Sequence, residues 1–190
     1  METLDLYLAS GSPRRKELLQ QLGYQFDILK VDVEEKQQQG ETASDYVERL
    51  AQDKAQAGVN AIQTLTPVLG ADTIVVVDSR VLEKPRDLDD AKEMLMLLSG
   101  REHQVMTAVC IANKHKTATV LVTTSVWFKP LSEQEIISYW HSGEPCDKAG
   151  GYGIQGVGGK FVTRIEGSYY AVVGLPLMET DQLLTEFKHI

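Results

Sequence analysis

The order of apolar and polar residues at the start of the chain predicts a strand, a tight turn and a helix. The apolar run from Leu4 to Ala9 is typical of a buried strand. A helix is predicted from Pro13 to Leu22, because Ser12 is a good N-cap, proline is favoured at the first helical position, and Gly23 follows the end.

The middle of the chain predicts further helices and three long strands. Apolar residues recur every three or four positions from about Ser44 to Ala57 and indicate a helix, with Lys54 at the edge of its apolar face. The other predicted elements are strands at Pro67 to Val77, His103 to Ala112 and Thr117 to Phe128, a helix at Leu88 to Leu98, and a helix opened by the capping box Ser132 to Glu135. A short polar turn separates the last two strands, so we expect them to pair antiparallel.

The C-terminal part predicts a glycine-rich loop, two strands joined by Glu166-Gly167, and a final helix from about Pro176 to Phe187. No internal repeat or low-complexity linker is visible. The mixture of elements predicts a single α/β domain over residues 1–190, with a mixed, partly antiparallel sheet and flanking helices.

Composition narrows the function classes. The net charge of −8 disfavours a nucleic-acid polymer as partner, since a polyanion would be repelled. Only two cysteines are present, no secretory signal is recognisable, and no apolar stretch approaches the roughly 20 residues that span a bilayer. We therefore expect a soluble protein of the reduced cytoplasm that binds no membrane.

The turn SGSPRR, from Ser10 to Arg15, has the features of an anion site. A helix N-terminus after a strand exposes backbone N–H groups and the positive end of the helix dipole, and here hydroxyl and guanidinium groups lie beside it. An ordinary turn with two solvated arginines is the alternative. A P-loop is excluded, since the lysine-containing pattern fails at Ile154 and Phe161.

The segment from Gly151 to Gly156 matches GxGxxG, but its context argues against a dinucleotide fingerprint. A polar stretch precedes it where a strand is required, and an apparent strand from Lys160 to Ile165 follows it where a helix is required. The glycines are better explained by a loop that approaches a ligand closely.

Asp72 lies within an apolar strand, where an unpaired carboxylate is costly to bury. A salt bridge is one solution, and a hard metal ion shared with the Glu34-Glu35 pair is another. Lys54, Lys84 and Arg14 are candidate cationic partners. The histidines and cysteines show no metal-ligand spacing, and a nucleophilic thiol is disfavoured.

Several motifs together resemble the Maf family of nucleoside triphosphate pyrophosphatases across almost the whole chain. They are SGSPRR, Glu34, Lys54, GADT at Gly70 to Thr73, EKPRD at Glu83 to Asp87, DKAGGYGIQG at Asp147 to Gly156, and VVGLP at Val172 to Pro176. The resemblance implies an elongated Maf/ITPase-like α/β fold with a cleft between two lobes. It also implies a metal-dependent hydrolase of acid anhydrides that cleaves a nucleotide between its α- and β-phosphates.

Within the family, the chain is similar to the branch that acts on dTTP and UTP. The 7-methyl-GTP branch usually reads SPWR and GSDQ in the first two motifs, whereas this chain has Arg14, Ala71 and Thr73 there and carries Gln155 in the third. By resemblance, Asp72 is the proton acceptor, and Arg14, Thr73 and Gln155 sort substrates.

These observations lead to a hypothesis for the site. Ser10, Arg14 and Arg15 bind the triphosphate, and Asp72 orients or deprotonates the attacking water. Glu34, with Asp72, holds Mg²⁺ or Mn²⁺. Lys54 and Lys84 neutralise the remaining charge. Which carboxylate contacts metal and which contacts water stays open.

Two other functions remain as alternatives. One is a nucleotide-binding regulator of cell division, although a carboxylate at Asp72 would repel a triphosphate unless a metal intervened. The other is a hydrolase of a different modified nucleotide, such as 7-methyl-GTP. The expected partner is a nucleoside triphosphate, and the oligomeric state stays open between a monomer and a homodimer.

Overall fold

A computed structural model describes residues 4–189 as a mixed α/β fold built on a seven-stranded sheet. The strands are β1 (Leu6–Leu8), β2 (Phe26–Ile28), β3 (Val68–Val77), β4 (Arg80–Leu82), β5 (Glu102–Ala112), β6 (Thr117–Phe128) and β7 (Val162–Glu166). The helices are α1 (Pro13–Gln21), α2 (Ala43–Ala61), α3 (Leu88–Leu98), α4 (Glu133–His141), α5 (Tyr169–Val173) and α6 (Leu177–His189). Short 3₁₀ helices occupy Glu144–Asp147, Ala149–Gly151 and Val157–Phe161.

The sheet combines parallel and antiparallel pairing. Its strand order is β2-β1-β3-β5-β6-β7, and β4 pairs with β3 off this path. β1 runs parallel to β2 and to β3, with Leu6 opposite Phe26 and Tyr7 opposite Val68. β3 and β4, and β6 and β7, are antiparallel. The turn between β5 and β6 is too short for a parallel crossover, so this pair is antiparallel as well. The predicted mixed sheet is confirmed.

The chain forms two compact units. The first contains Met1–Asp72, Thr107–Val122 and Gly174–Ile190, and the second contains Thr73–Met106 and Thr123–Val173. In the first unit, the buried side chains of β1 and β3 pack with the apolar face of α2. In the second unit, α3, α4 and the ends of the long strands share a core with Tyr152 and Phe161.

Helix starts follow local capping chemistry closely. Ser12 caps α1, and the capping box of Ser132 and Glu135 opens α4. α3 has the predicted bounds Leu88–Leu98. No helix within residues 4–189 combines the length and the apolar character needed to cross a membrane.

The predicted strand after Gly167 is wrong, because this segment is the helix α5. The hydroxyl of Ser168 accepts a hydrogen bond from the amide of Ala171 at 3.1 Å, as an N-cap does, and so starts a helix in an apolar run. The predicted end of α2 at Ala57 is also wrong, since α2 continues to Ala61. Gly58 lies within this extension, where an added Cβ would be 2.5 Å from Val68 Cγ1.

Candidate active site

The turn before α1 is organised by hydrogen bonds among its own residues. Ser12 Oγ accepts from the amide of Arg15 at 3.4 Å, and Ser10 Oγ accepts from the amide of Ser12 at 3.2 Å. Arg15 Nη1 donates to Ser10 Oγ at 3.4 Å, and its Nε donates to the carbonyl of Gly174 at 2.8 Å. Burial lowers the pKa of Arg15. The guanidinium of Arg15 therefore joins the SGSPRR turn to the VVGLP segment, while Arg14 is half-buried on the same helix.

Lys54 and Asp72 form a shielded ion pair between α2 and β3. Lys54 Nζ lies 2.7 Å from Asp72 Oδ1, and their side chains are only 12% and 10% exposed. Gly70 permits this pairing, because an added Cβ there would lie 2.4 Å from the carbonyl oxygen of Ala51. A larger residue at position 70 would separate β3 from α2. The cation that the sequence requires for Asp72 is thus Lys54.

A second carboxylate contacts the same lysine, and it is Glu35 rather than Glu34. Glu35 Oε1 lies 2.8 Å from Lys54 Nζ, with the Glu35 side chain 39% exposed. Glu34 is exposed and lines an open depression of about 930 Å³ together with Arg49 and Asp53. Glu34 is the glutamate that the sequence predicts for the site, and nothing in the local pattern distinguishes the two adjacent glutamates.

Arg49 holds the segment that carries Glu35 against α2. Its Nη2 donates to the carbonyl of Lys36 at 2.9 Å and to Glu41 Oε2 at 3.0 Å, and its Nε lies 2.5 Å from Glu41 Oε1. Glu41 Oε2 also accepts from the amide of Gln38 at 2.9 Å. The hydrogen bond from Arg49 lowers the pKa of Glu41. Sequence reasoning missed this arrangement.

The remaining residues that the sequence predicts for the site belong to the second unit. Thr73 follows Asp72 on β3 and is half-buried, and Lys84 is exposed. The carbonyl of Glu83, beside Lys84, accepts a hydrogen bond from the amide of Gly150 at 3.2 Å. The EKPRD motif is therefore attached to the start of the glycine-rich segment.

The glycine-rich loop presents Gln155 as an exposed side chain between two anchors. Tyr139 Oη accepts from the amide of Gly153 at 3.0 Å. Glu144 accepts from the amides of Val157 at 2.8 Å and Gly158 at 3.1 Å. The loop follows 3₁₀ helices and precedes another 3₁₀ helix and β7, an order that does not fit a dinucleotide fingerprint.

The side chains that contact Lys54 are the carboxylates of Asp72 and Glu35, so the ligands that they would offer to a cation are oxygen atoms. Asp72 and Glu35 each contact Lys54 Nζ, so their contacting oxygens can be no farther apart than the sum of those two distances. Within residues 4–189, no group of three or more His, Cys, Asp and Glu side chains is arranged to hold a metal ion.

Comparison with known proteins finds a matching family model, similar sequences and a solved structure with a partly similar fold. The family model described as "Maf-like protein" matches residues 5–187. A protein of Aliivibrio fischeri named "dTTP/UTP pyrophosphatase" is 69% identical over 96% of this chain and 97% of its own length. A protein of Vibrio cholerae with the same name is 64% identical over 96% of this chain and 97% of its own length. Among solved structures, the Staphylococcus aureus Ham1 protein is 15% identical, with a TM-score of 0.48 over 65% of this chain and 71% of that chain.

Proposed function

This chain belongs to the Maf-like protein family, and from that membership we propose that it hydrolyses dTTP and UTP to the monophosphate and pyrophosphate. The observation that carries the proposal is identity of 60–69% with relatives named dTTP/UTP pyrophosphatase, over 96% or more of this chain. The reaction is the attack of water on the α-phosphorus, with pyrophosphate as the leaving group.

We propose that Asp72 accepts the proton of the attacking water. Its Oδ1 accepts a hydrogen bond from Lys54 Nζ at 2.7 Å, which fixes the orientation of the carboxylate. The other carboxylate oxygen is then the one that takes the proton. A positioned base of this kind contributes about 10²–10⁴-fold to a rate.

The SGSPRR turn is proposed to bind the triphosphate. The N-terminus of α1 supplies backbone N–H groups and the positive end of a helix dipole, and Ser10, Arg14 and Arg15 add hydroxyl and guanidinium groups. Since Ser10 and Arg15 are already held by hydrogen bonds, little ordering is needed when the anion binds. Lys84 is proposed to supply a further positive charge.

The donor set fits a divalent cation such as Mg²⁺ or Mn²⁺. Proteins commonly bind Mg²⁺ through one or two carboxylates, with substrate phosphate oxygens and waters completing the coordination. Asp72 and Glu35 are the carboxylates that we propose would hold it, in place of the Glu34 and Asp72 pair that the sequence favours. The ion, when bound, would neutralise charge on the phosphate oxygens. Activity should be lost in EDTA and return with Mg²⁺ or Mn²⁺, and full activity in EDTA would contradict the metal requirement.

Base selection is proposed to lie with Gln155, Thr73 and Arg14. An amide both donates and accepts, so Gln155 can pair with the carbonyl and N3–H edge that uracil and thymine present. Cytosine has an amino group at position 4 and would leave a donor of the site unpaired, at a cost of about 1–3 kcal/mol. That cost corresponds to about one to two powers of ten in kcat/KM.

A turnover panel tests the proposal directly. The purified protein with Mg²⁺ is offered dTTP, UTP, CTP, ATP, GTP and 7-methyl-GTP, and pyrophosphate and orthophosphate are both measured. We expect dTTP and UTP to be preferred and pyrophosphate to be the first product. Orthophosphate as the first product, a preference for purines, or tight nucleotide binding without turnover would contradict it. Asp72→Asn, prepared in the same way, controls for a contaminating hydrolase.

A further inference from the structure

The exposed turn of the glycine-rich loop is held at both ends by hydrogen bonds that its amides donate to Tyr139 and Glu144. Tyr139 Oη accepts from the amide of Gly153, two residues before Gln155, and Glu144 accepts from the amides of Val157 and Gly158, two and three residues after it. Gln155 thus lies between two fixed points only a few residues apart.

The contacts that the loop makes with Tyr139 and Glu144 leave no room for a side chain at position 156 or 158. An added Cβ at Gly156 would lie 2.4 Å from Glu144 Oε2, and one at Gly158 would lie 2.5 Å from Tyr139 Oη. Glycine at positions 156 and 158 therefore lets the loop backbone approach Glu144 and Tyr139 closely.

Tyr139 and Glu144 are themselves held by packing and by a hydrogen bond to each other. The ring of Tyr139 is buried and packs edge-to-face on Phe161, with centroids 5.1 Å apart. Its hydroxyl donates to Glu144 Oε1 at 2.7 Å while it accepts from the loop, so both of its hydrogen-bonding roles are used. Although burial acts to raise it, the pKa of Glu144 is lowered by the hydrogen bonds from Tyr139 and the amides of Gly158 and Val157.

We propose that Tyr139 and Glu144 are positioning residues for substrate selection, which hold the loop so that Gln155 presents its amide to the pyrimidine edge in one orientation. This inference rests on the proposed function. Neither residue contacts substrate in this scheme. Loss of either anchor allows the loop backbone to turn, and the Gln155 amide then pairs with cytosine as readily as with uracil.

The test is the ratio of kcat/KM for UTP to that for CTP. It is measured in the wild type and in Tyr139→Phe, Glu144→Gln and Gln155→Ala. Tyr139→Phe keeps the buried ring and removes only the hydroxyl, so it should fold. We expect the first two variants to lower the ratio about tenfold, toward the value in Gln155→Ala. The double variant Tyr139→Phe with Gln155→Ala should show no further change, because both act on one interaction.

Glu135→Gln is the matched control. Glu135 belongs to the same helix as Tyr139 and also accepts from a backbone amide, that of Ser132 at 3.0 Å, but it lies at the other end of α4. Its loss should lower the melting temperature without changing the ratio, and melting curves of all variants confirm that they are folded.

Three outcomes would overturn the inference. They are an unchanged ratio in Tyr139→Phe and Glu144→Gln, an equal decrease for UTP and CTP, or the same decrease in the ratio for Glu135→Gln. A different result would contradict the proposed function itself: a wild-type protein with no preference for UTP over CTP. In that case the base selection is wrong, whatever the variants show.

Discussion

Two loops of this protein each carry an exposed polar side chain that we propose for the site, but different chemistry holds them. The segment from 31 to 42 presents Glu35 and is fastened to α2 by charge, through Arg49 on Glu41 and Lys54 on Glu35. The segment from 152 to 161 presents Gln155 and is fastened by its own backbone amides, on Tyr139 and Glu144. The first loop is held mainly by ion pairs, and the second by hydrogen bonds that its backbone amides donate.

The difference matches what each loop is proposed to do. A site for phosphate and a cation needs charge, and neighbouring charges can hold its carboxylates without disturbing its chemistry. A site that reads a base edge depends on the direction of donors and acceptors, which a fixed backbone provides. We therefore expect changes in the first region to affect all nucleotides alike, and changes in the second to alter the preference among them.

The largest effect is expected from Asp72→Asn, which removes the proposed base on β3, the second carboxylate that contacts Lys54 beside the first loop. We expect kcat to fall by about a hundredfold or more for UTP and dTTP alike, since asparagine cannot accept the proton of water. Steady-state kinetics and a melting curve measure this. Asp89→Asn, an exposed position on α3, is the control and should keep wild-type kinetics. A wild-type rate in Asp72→Asn would exclude Asp72 as the base.

The next largest effect is a difference in kinetics between Glu35→Gln and Glu34→Gln. Glu35→Gln should lower kcat/KM by about tenfold or more and raise the Mg²⁺ concentration needed for half-maximal rate, because a carboxylate ligand is lost. Glu34→Gln should stay within about twofold of the wild type, a surface substitution away from the ion-paired centre. Metal titrations of both variants check this. The reverse order would restore Glu34 as the proposed ligand.

A smaller effect is expected from Arg49→Met, which removes the fastening of the first loop. The carbonyl of Lys36 loses its donor, the carboxylate of Glu41 keeps the amide of Gln38, and Glu35 is then held less firmly beside Lys54. We expect kcat/KM to fall about fivefold to tenfold for UTP and CTP alike, which corresponds to the net cost of about one ordinary hydrogen bond, ~1 kcal/mol. Arg80→Met, which breaks an exposed pair with Glu93, is the control. A change in the ratio of kcat/KM for UTP to that for CTP would contradict the proposed difference between the two loops.

The smallest effect is a dependence of the free energy of unfolding on pH, which comes from His103 beside Tyr152 of the second loop. His103 is buried, its Nε2 lies 2.6 Å from the hydroxyl of Tyr152, and burial lowers its pKa to about 4. The unfolded chain therefore binds this proton first as pH falls below about 6.5. We expect the free energy of unfolding to decrease by about 1 kcal/mol between pH 7 and pH 5.5 from this group, and the decrease to be complete below pH 4.

His103→Gln isolates that contribution, since glutamine does not titrate. Urea denaturation at several pH values should show a shallower decrease in the variant than in the wild type over this range. Parallel curves would mean that His103 does not carry the effect.

Much of the local structure followed from short-range chemistry. The cap of α1 at Ser12, the capping box of α4 and the bounds of α3 depend on residues within one helical turn of each other, so a short window of sequence contains the information. The need of Asp72 for a cation was likewise evident from its apolar neighbours.

The family, the motifs and the requirement for a cation at Asp72 were determined by the sequence alone, because they depend on which residues are present and in what order. Tertiary structure alone decided that Glu35 rather than Glu34 contacts Lys54, that Arg15 binds the carbonyl of Gly174, and that Tyr139 and Glu144 support the glycine-rich loop. Arg15 and Gly174 are 159 positions apart in the sequence. Glu34 and Glu35 are adjacent residues of the same type, so the sequence cannot distinguish their contacts. Such contacts depend on how the backbone brings distant segments together, which no local pattern of residues encodes.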